Sequence, residues 1–294
     1  MRVTNSYVEV LRISKIFSQS LKQRLMKLTT IHKTAWILLL SLLLNAGLVC
    51  AEQKAPLPEV SDEFRFSVTP YLWFTGLTGN LDYNNVQRVH THINTNKILD
   101  NLSTGAMLDG EVHYGRVGLM GNAIFAKLSA AGSKSYLKDQ ALTIDSTTDA
   151  WMGIYTVAGT YTAYSDKTVY LDVLAGARFL NLNTKVQLNA SVTNTPYAGD
   201  KTLYSALSAT DAIGGIKGRL RLGETSFYVP FYLDAGGSSS VAKFTTQQAL
   251  GIGYAFDVVD ISLGYNNLYY SLSNKQVSSY INMSGPMIAA TFRF

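Results

Sequence analysis

Histidine is the side chain best suited to acid–base and metal chemistry near neutral pH, and three of the four histidines lie beyond residue 51. His90 and His92 are two residues apart, so on a β-strand both rings would share one face and could contact one metal ion. Neither has a cysteine or a clear carboxylate partner in the sequence, and His113 lies close to a predicted tight turn. We therefore expect no metal site at these histidines.

Nucleophilic catalysis has little support in the sequence. The Gly-x-Ser-x-Gly motif, which exposes a serine nucleophile on a sharp turn between a strand and a helix, does not occur. Cys50 is the only cysteine. It lies within a segment that an exported chain would lose, so we expect a mature chain with no thiol, disulfide or cysteine-based metal site. The sequence predicts neither a catalytic centre nor a bound cofactor.

The first 51 residues have the composition of a targeting segment. After Met26 a short basic region precedes the apolar run 35–44, and Val49-Cys50-Ala51 forms a small-residue cleavage pattern. We predict a signal peptide over 26–51 and a non-native N-terminal extension over 1–25, with translation starting at Met26. A membrane-spanning anchor is the alternative, but it needs about 20 apolar residues, and polar residues interrupt this run.

The net charge of the chain comes mainly from this leader. The formal charge is +5, and residues 1–51 hold seven of the 25 Lys and Arg but only one of the 20 acids, Glu9. Subtraction leaves 18 basic and 19 acidic residues beyond Ala51. A body with a charge of about −1 offers no electrostatic basis for nucleic-acid binding, so we expect no nucleic-acid partner.

Apolar and polar residues alternate through much of the chain beyond residue 63. Val169 to Leu180 reads V-Y-L-D-V-L-A-G-A-R-F-L, which places Val173 and Phe179 on an apolar face and Asp172 and Arg178 on the opposite face. Segments 104–114 and 227–235 have the same two-residue period. This pattern predicts amphipathic strands, whose apolar faces meet either a soluble core or lipid.

Connection lengths and aromatic residues favour lipid. The 18 Tyr and 12 Phe cluster near predicted strand ends, as in the aromatic girdles of lipid-exposed barrels. Tight turns alternate with long polar segments, as do the short inner turns and long outer loops of outer-membrane barrels. The long polar segments are predicted at 129–149, 182–206, 236–243 and 271–284. The sequence therefore predicts a closed antiparallel transmembrane β-barrel in the bacterial outer membrane, in contact with lipid and lipopolysaccharide.

The chain ends in an alternating strand with terminal aromatic residues, Phe292 and Phe294. Such an ending resembles the signal by which the outer-membrane barrel assembly machinery recognises its substrates. We predict that these two residues form an assembly signal and that the assembly machinery is a partner.

The turns indicate ten strands, an even number that places both termini on the periplasmic side. Residues 52–62 are then a periplasmic N-terminal segment, and 63–294 form the barrel. Residues 75–103 become the first outer loop, with a short helical turn near 97–102. If 77–83 and 86–93 instead form a spanning hairpin, the number of strands is twelve. We prefer ten, because those two pieces are shorter than the 9–11 residues that a tilted spanning strand needs.

Short motifs along the chain also resemble a known group of proteins. They include Pro70-Tyr71-Leu72-Trp73 followed by Gly76-Leu77-Thr78-Gly79, Ile98 to Leu102, Leu171 to Arg178, and Ser284-Gly285-Pro286 to Phe294. In this order they are similar to a largely uncharacterised family of proteobacterial outer-membrane β-barrel proteins. The resemblance spans nearly all of the mature chain and implies the fold and the location, but no established activity.

The charges on the polar strand faces are the only candidate functional residues. About ten strands leave a lumen that side chains can largely fill, and buried charges are tolerated when they are paired. We expect a structural barrel with a charge-filled lumen; the alternative is a narrow, porin-like passage for small solutes, and an enzyme or an adhesin is less favoured. The predicted lumenal network comprises Arg65, Asp109, Glu111, Asp172, Arg178, Asp211, Lys217, Arg219, Arg221 and Asp234.

Overall fold

The computed structural model describes residues 56–83, 87–136, 142–192, 198–238, 242–273 and 277–294. The predicted extension 1–25 and signal peptide 26–51 lie outside these residues. The described parts of the chain form β-strands and one short helix, α1 Thr95–Asn101, which lies between β3 and β4. The strands are β1 Phe64–Trp73, β2 Gly76–Tyr83, β3 Gln87–Ile93, β4 Leu102–Tyr114, β5 Val117–Tyr136, β6 Leu142–Ser165, β7 Val169–Val192, β8 Ala198–Arg221, β9 Phe227–Gly237, β10 Ala242–Ala255, β11 Val259–Ser273 and β12 Val277–Arg293. Within these ranges, no helix is long and apolar enough to cross a bilayer.

Ten strands form a closed antiparallel β-barrel, which confirms the predicted fold and strand number. Strands β4 to β12 pair in sequence order, β4 also pairs with β1, and β1 returns to pair with β12. The closing register runs from Ser67 opposite Arg293 to Trp73 opposite Met287. Closure leaves this part of the ring without a free edge, so the backbone hydrogen bonds can be satisfied between strands.

The region 75–103, predicted as the first outer loop, instead holds two extra strands as well as the predicted helical turn. β2 pairs with the first half of β12, and β3 pairs with β2. The Asn94 side chain caps α1 by accepting a hydrogen bond from Lys97 N at 3.0 Å, and α1 lies against β2 and β5. The hairpin extends the wall beyond β1 without adding spanning strands to the ring.

Tight turns gather at one end of the barrel, which we call the short-turn end. They lie at 115–116, 166–168, 222–226 and 256–258. Gly115 and Gly223 have φ of +57° and +62°, a conformation that disfavours residues with a Cβ. The carboxylate of Asp166 accepts hydrogen bonds from Thr168 N and Val169 N at 2.7 and 2.6 Å. These two bonds and that from the Tyr164 hydroxyl hold the pKa of Asp166 below its usual value.

Strands β5 to β8 are much longer than the sequence indicated. β6, β7 and β8 each have 24 residues, more than twice the 9–11 residues that cross a bilayer. Most of the segments 129–149 and 182–206, predicted as polar loops, belong to these strands and pair in continuous register. The loop prediction was therefore wrong there. The polar residues stay in the ladder because each backbone group has an antiparallel partner.

The amphipathic pattern inverts partway along these strands. In the first half of β7 the outward residues are apolar, as at Val173, and the inward residues include Asp172 and Arg178, both fully buried. Beyond Leu180 the inward positions hold Leu182, Val186 and Leu188, while the outward positions hold Asn181, Asn183, Lys185 and Gln187. The half of the barrel at the short-turn end thus has an apolar exterior and a polar interior. The far half has a polar exterior and an apolar interior.

Buried apolar side chains fill the lumen where the pattern inverts. We call this cluster the apolar plug. It consists of Tyr71, Trp73, Ile124, Ile154, Leu180, Ala209, Ala242, Leu268, Tyr270, Leu272, Met283 and Ala289. Ile124 and Ile154 are each 1% exposed and Leu268 is 0% exposed. The plug therefore packs like the core of a soluble protein, inside a barrel whose neighbouring layer is charged.

Shortening a plug residue is expected to lower the stability of the barrel strongly. The substitution Ile154→Ala should reduce the free energy of unfolding by about 2–5 kcal/mol, because the lost methyl groups leave a cavity among rigid neighbours. Urea titration of the refolded chain in detergent, followed by the loss of heat-resistant mobility on gels, measures the change.

Val157 on the same strand provides the control, since its side chain points outward and is 49% exposed. The substitution Val157→Ala should have a clearly smaller effect, because detergent chains refill the space. Equal losses at the two positions would contradict a packed plug.

Candidate functional site

A cavity of about 670 Å³ occupies the lumen between the apolar plug and the short-turn end. Its walls include Tyr71 and Met287 on the plug side and Leu57 and Glu63 on the side of the short-turn end. Most of the predicted lumenal charges lie on this cavity or next to it. They form three groups, which differ in how completely their charges are balanced.

The first group, the Arg178 cluster, lies directly below the plug. The Arg178 guanidinium pairs with the Asp234 carboxylate through both terminal nitrogens, with Nη1 at 3.1 Å from Oδ1. Its Nε donates to Thr156 Oγ1 at 3.3 Å, and Nη2 donates to Gln247 Oε1 at 2.8 Å. Both ions are fully buried. Such a bidentate pair with further hydrogen bonds is the arrangement that a buried charge requires.

Asp234 is as fully satisfied as its partner. Besides the guanidinium, it accepts a hydrogen bond from the Tyr232 hydroxyl at 2.5 Å and one from Gln247 N at 3.0 Å. Gln247 in turn donates from Nε2 to Asn266 Oδ1 at 3.2 Å. Four strands, β7, β9, β10 and β11, are therefore tied together across the lumen at this level.

The second group, the His113 cluster, consists of Glu111, His113, Asp172 and Lys217. The Lys217 ammonium contacts the Glu111 carboxylate directly and lies 3.9 Å from Asp172 Oδ2. The His113 ring reaches both acids, with Nε2 at 3.4 Å from Asp172 Oδ2 and Nδ1 at 4.0 Å from Glu111 Oε2. These side chains come from β4, β7 and β8 and all line the cavity.

A glycine positions the histidine ring. Gly118 lies opposite His113 in the β4–β5 register. A Cβ at Gly118 would come within 2.5 Å of His113 Nε2 and of Thr160 Oγ1, so only glycine leaves room for the ring. The Thr160 hydroxyl lies 3.0 Å from His113 Nε2, which fixes the ring between the wall and Asp172.

The third group closes the short-turn end of the cavity. Asp260 pairs with Arg219 Nη1 at 2.6 Å and with Arg293 Nη2 at 2.8 Å. Arg219 Nη1 also donates to the carbonyl oxygen of Pro56 at 3.1 Å, and its guanidinium lies over the Tyr228 ring at 4.5 Å. The neighbouring Leu57 is buried at this mouth. The start of the described chain is therefore held against the cavity.

Four of the predicted lumenal residues make no ion pair among the described residues. Arg65 Nη2 donates to Gly115 O at 3.3 Å, and Asp109 has a long contact of 3.5 Å with Asn122 Nδ2. Asp211 is buried opposite Arg178 in the β7–β8 register. Arg221 is the last residue of β8 and donates to the carbonyl oxygens of Glu224 and Thr225 in the turn that follows. The structure does not bring Arg221 together with the other charges.

Several residues of the site were missing from the predicted network. Asp260 and Arg293 lie on inward positions of β11 and β12, and alternation in Val259-Asp260-Ile261 and Phe292-Arg293-Phe294 was a signal that could have found them. His113 was noted in the sequence, but not as a neighbour of Asp172. Neutral partners such as Thr156 and Gln247 carry no charge signal, so only the register identifies them.

The chain matches no protein-family model and no curated protein sequence. Solved structures to which it is similar include the outer membrane protease OmpT from Escherichia coli, at 8% identity over 82% of this chain and 100% of that chain, with a TM-score of 0.46. The translocator domain of the autotransporter NalP from Neisseria meningitidis has 12% identity over 90% of this chain and 97% of that chain, with a TM-score of 0.37. The attachment invasion locus protein Ail of Yersinia pestis has 9% identity over 80% of this chain and 100% of that chain, with a TM-score of 0.29. These similarities are too low to carry over an activity or a ligand.

Removing the guanidinium of the Arg178 cluster should destabilise the barrel. The substitution Arg178→Met is expected to lower the free energy of unfolding by about 3–5 kcal/mol, because it leaves the Asp234 carboxylate buried without its counter-ion. The double variant Arg178→Met/Asp234→Leu should recover much of the loss, since both charges are then absent. Urea titration of each refolded variant measures the differences.

Arg221→Met is the matched control, because the guanidinium of this arginine donates to carbonyl oxygens of the turn that follows β8. Its loss should stay below about 1 kcal/mol, the usual range for a surface hydrogen bond. An Arg178→Met variant no less stable than the control would show that the buried pair does not hold the strands together.

Proposed function

We propose that the chain is an exported outer-membrane protein whose barrel is anchored in the bacterial outer membrane and sealed against solute passage. The observation that carries this proposal is the inversion of the amphipathic pattern along β5 to β8. An apolar exterior suits lipid and a polar exterior suits water, so the short-turn half is the embedded part and the far half projects beyond the membrane. The short-turn end then faces the periplasm, as in bacterial barrels.

Aromatic pairs support the position of the membrane boundaries. At the short-turn end, Phe64 and Tyr114 are in contact with ring centroids 5.1 Å apart, as are Phe227 and Tyr254 at 4.9 Å. Toward the far half, the Phe125 and Trp151 rings meet edge to face at 5.6 Å. From Val117 to Phe125 β5 has nine residues, which agrees with the length of a tilted spanning strand.

The apolar plug supports a sealed lumen rather than a narrow channel. A permeation path needs polar groups that replace the hydration shell of the solute. The plug offers apolar side chains at this level instead, and the Arg178 cluster below it is fully hydrogen-bonded. We therefore favour the structural, charge-filled barrel over the porin-like alternative, and we propose no catalytic activity for it.

The proposed location implies two kinds of partner. The outward belt would contact the lipid and lipopolysaccharide of the outer membrane. The assembly machinery would recognise the last strand, in which Phe292 is paired with Val68 and Val259 and Phe294 is 76% exposed at the short-turn end. The Phe294 backbone already exchanges hydrogen bonds with Phe66, so recognition through the Phe294 side chain requires no rearrangement of the ladder.

A charge placed in the middle of the outward belt should destabilise the barrel in lipid. Leu250 is 62% exposed and lies on β10 midway between the outward aromatic residues Phe244 and Phe256. The substitution Leu250→Arg is expected to lower the free energy of unfolding in phospholipid vesicles by about 2–4 kcal/mol, the range for arginine near the bilayer midplane. Denaturant titration of vesicle-folded protein measures it.

Thr202 provides the control, because it is exposed in the far part of β8 and lies opposite the outward residue Gln187. Thr202→Arg should change the stability by no more than about 0.5 kcal/mol, as expected for a surface position. Equal effects of the two substitutions, or none at Leu250, would argue against a lipid-facing belt.

The sealed lumen predicts electrical silence. The refolded chain should show no discrete openings in a planar bilayer, because the plug leaves no hydrated path. Regular openings whose size changes when Asp172 or Arg178 is reversed in charge would instead establish the channel alternative.

Thiol labelling tests the same seal in cells. In a Cys50→Ser background, which removes the native thiol, Ser262→Cys would place a thiol on the cavity and Ser205→Cys one on the far half. A membrane-impermeant maleimide should label the variant at 205 in intact cells and the variant at 262 only after the outer membrane is permeabilised. Labelling of both in intact cells would show an open lumen.

A further inference from the structure

The His113 cluster has the composition of a metal site. Glu111, His113 and Asp172 each offer one ligand atom, and these three atoms lie within 4.8 Å of one another. An imidazole nitrogen with two carboxylate oxygens is a ligand set for a first-row divalent transition metal such as Zn²⁺. We propose that this cluster binds one such ion in the cavity of the barrel.

The spacing of the ligands supports the proposal. His113 Nε2 and Asp172 Oδ2 are 3.4 Å apart, close to the separation of about 3.3 Å that a tetrahedral zinc ion imposes on ligands at about 2.0–2.1 Å. Glu111 offers a carboxylate oxygen within 4.8 Å of the other two ligand atoms, and its contact of 4.0 Å is with the other ring nitrogen, Nδ1, so its side chain has to turn toward Nε2 to complete the set. Thr160, at 3.0 Å from Nε2, limits the ring to this region.

Asp172 provides the second, independent observation. Its side chain is fully buried, yet neither carboxylate oxygen completes a hydrogen bond with any described group. Its polar neighbours are the His113 ring at 3.4 Å, the Lys217 ammonium at 3.9 Å and the Thr162 hydroxyl, and none of them meets it with hydrogen-bond geometry. A buried carboxylate without hydrogen bonds is costly, and a metal ion bound to it would remove that cost.

The charges of the cluster point the same way. Asp109 lies two residues before Glu111 on the same face of β4, so three carboxylates share this wall with the single ammonium of Lys217. With a neutral imidazole these three carboxylates and the ammonium sum to −2. Arg65, opposite His113 in the β1–β4 register, adds one positive charge, and Arg219 and Arg293 are already engaged by Asp260. The net negative charge that remains favours a cation.

The site is accessible from one side. All three ligands line the cavity that reaches the short-turn end, so an ion can enter from there even though the plug blocks the far half. Lys217 is the competitor, because its ammonium occupies the space beside Glu111 and Asp172. Binding would displace this ammonium from the carboxylates, and removal of Lys217 should therefore favour the metal.

The experiment is a Zn²⁺ titration of the folded full chain in detergent against a chromophoric chelator. The Cys50→Ser background excludes binding by the thiol, and purification must avoid a polyhistidine tag. One equivalent of Zn²⁺ is expected per chain. His113→Ala or Asp172→Asn should weaken binding at least about 100-fold, since even outer-shell substitutions cost 10–100-fold. Folding of each variant is checked by heat-resistant gel mobility.

Three further variants make the test specific. His92→Ala removes an exposed histidine on β3 and should leave the affinity unchanged. Lys217→Met should raise the affinity and enlarge the thermal stabilisation by Zn²⁺, because a ligand that binds only the folded state stabilises it. Gly118→Ala should weaken binding by displacing the His113 ring without removing a ligand.

Co²⁺ provides a spectroscopic readout of the same site. Bound Co²⁺ should give the intense visible absorption of a tetrahedral site, and this band should be absent in His113→Ala.

The proposal fails if the folded chain binds no stoichiometric Zn²⁺, or if His92→Ala abolishes binding and His113→Ala does not. Weaker binding by Lys217→Met would also overturn it, since the lysine would then be a partner of the ion and not its competitor. None of these results bears on the sealed barrel, which conductance and thiol labelling test separately.

Discussion

The structure depends on one constraint: the outer face of a single closed ladder changes from apolar to polar partway along its strands, so in the proposed position it meets two different media. In lipid every backbone polar group has to be paired within the protein, and a closed barrel of antiparallel strands meets this requirement. Backbone pairing is indifferent to the side chains, so the same ladder can continue into water once the outward residues become polar. β7 makes this change between Phe179 and Asn181 without a break in register. Because side chains alternate between the faces of a strand, the inner face changes character at the same level.

The inversion determines what the lumen contains. Where the outside is apolar, the inward positions can hold charge, and where the outside is polar, the apolar residues that the fold needs for packing must turn inward. The Arg178 cluster and the apolar plug meet at this boundary. Arg178 and Leu180 are successive inward residues of β7, and an ion next to an apolar layer is stable only when its hydrogen bonds are complete. This explains why Arg178 and Asp234 are so fully paired.

Much of this fold follows from local rules in the sequence. The two-residue period of 169–180, the turn residues and the terminal strand were sufficient for a closed ten-stranded barrel and for the inward direction of residues such as Asp172, Arg178 and Asp234. The full length of β5 to β8 was not predicted, because the outward residues of their far parts are polar. When an apolar outer face is taken as the mark of a barrel strand, residues 182–206 resemble a loop. Alternation also gives the face of a residue but not its height in the barrel. Arg221 therefore entered the predicted network although it ends β8 and its side chain contacts only the turn that follows. His113 was not placed beside Asp172, because that contact depends on the stagger of three strands.

The contrast between the charged groups distinguishes a structural role from a binding role. In the Arg178 cluster, every donor and acceptor that the ion pair needs comes from the barrel itself, and nothing is left for a ligand. In the His113 cluster, Glu111 has its lysine, but Asp172 is buried without a hydrogen bond and Asp109 has no ion pair among the described residues. Stability alone would favour balancing these charges, because an uncompensated buried carboxylate lowers it. Asp211, which lies opposite Arg178 and does not line the cavity, is also buried without a hydrogen bond. Asp172 differs from it because it faces the cavity and has the side chains of His113 and Glu111 beside it.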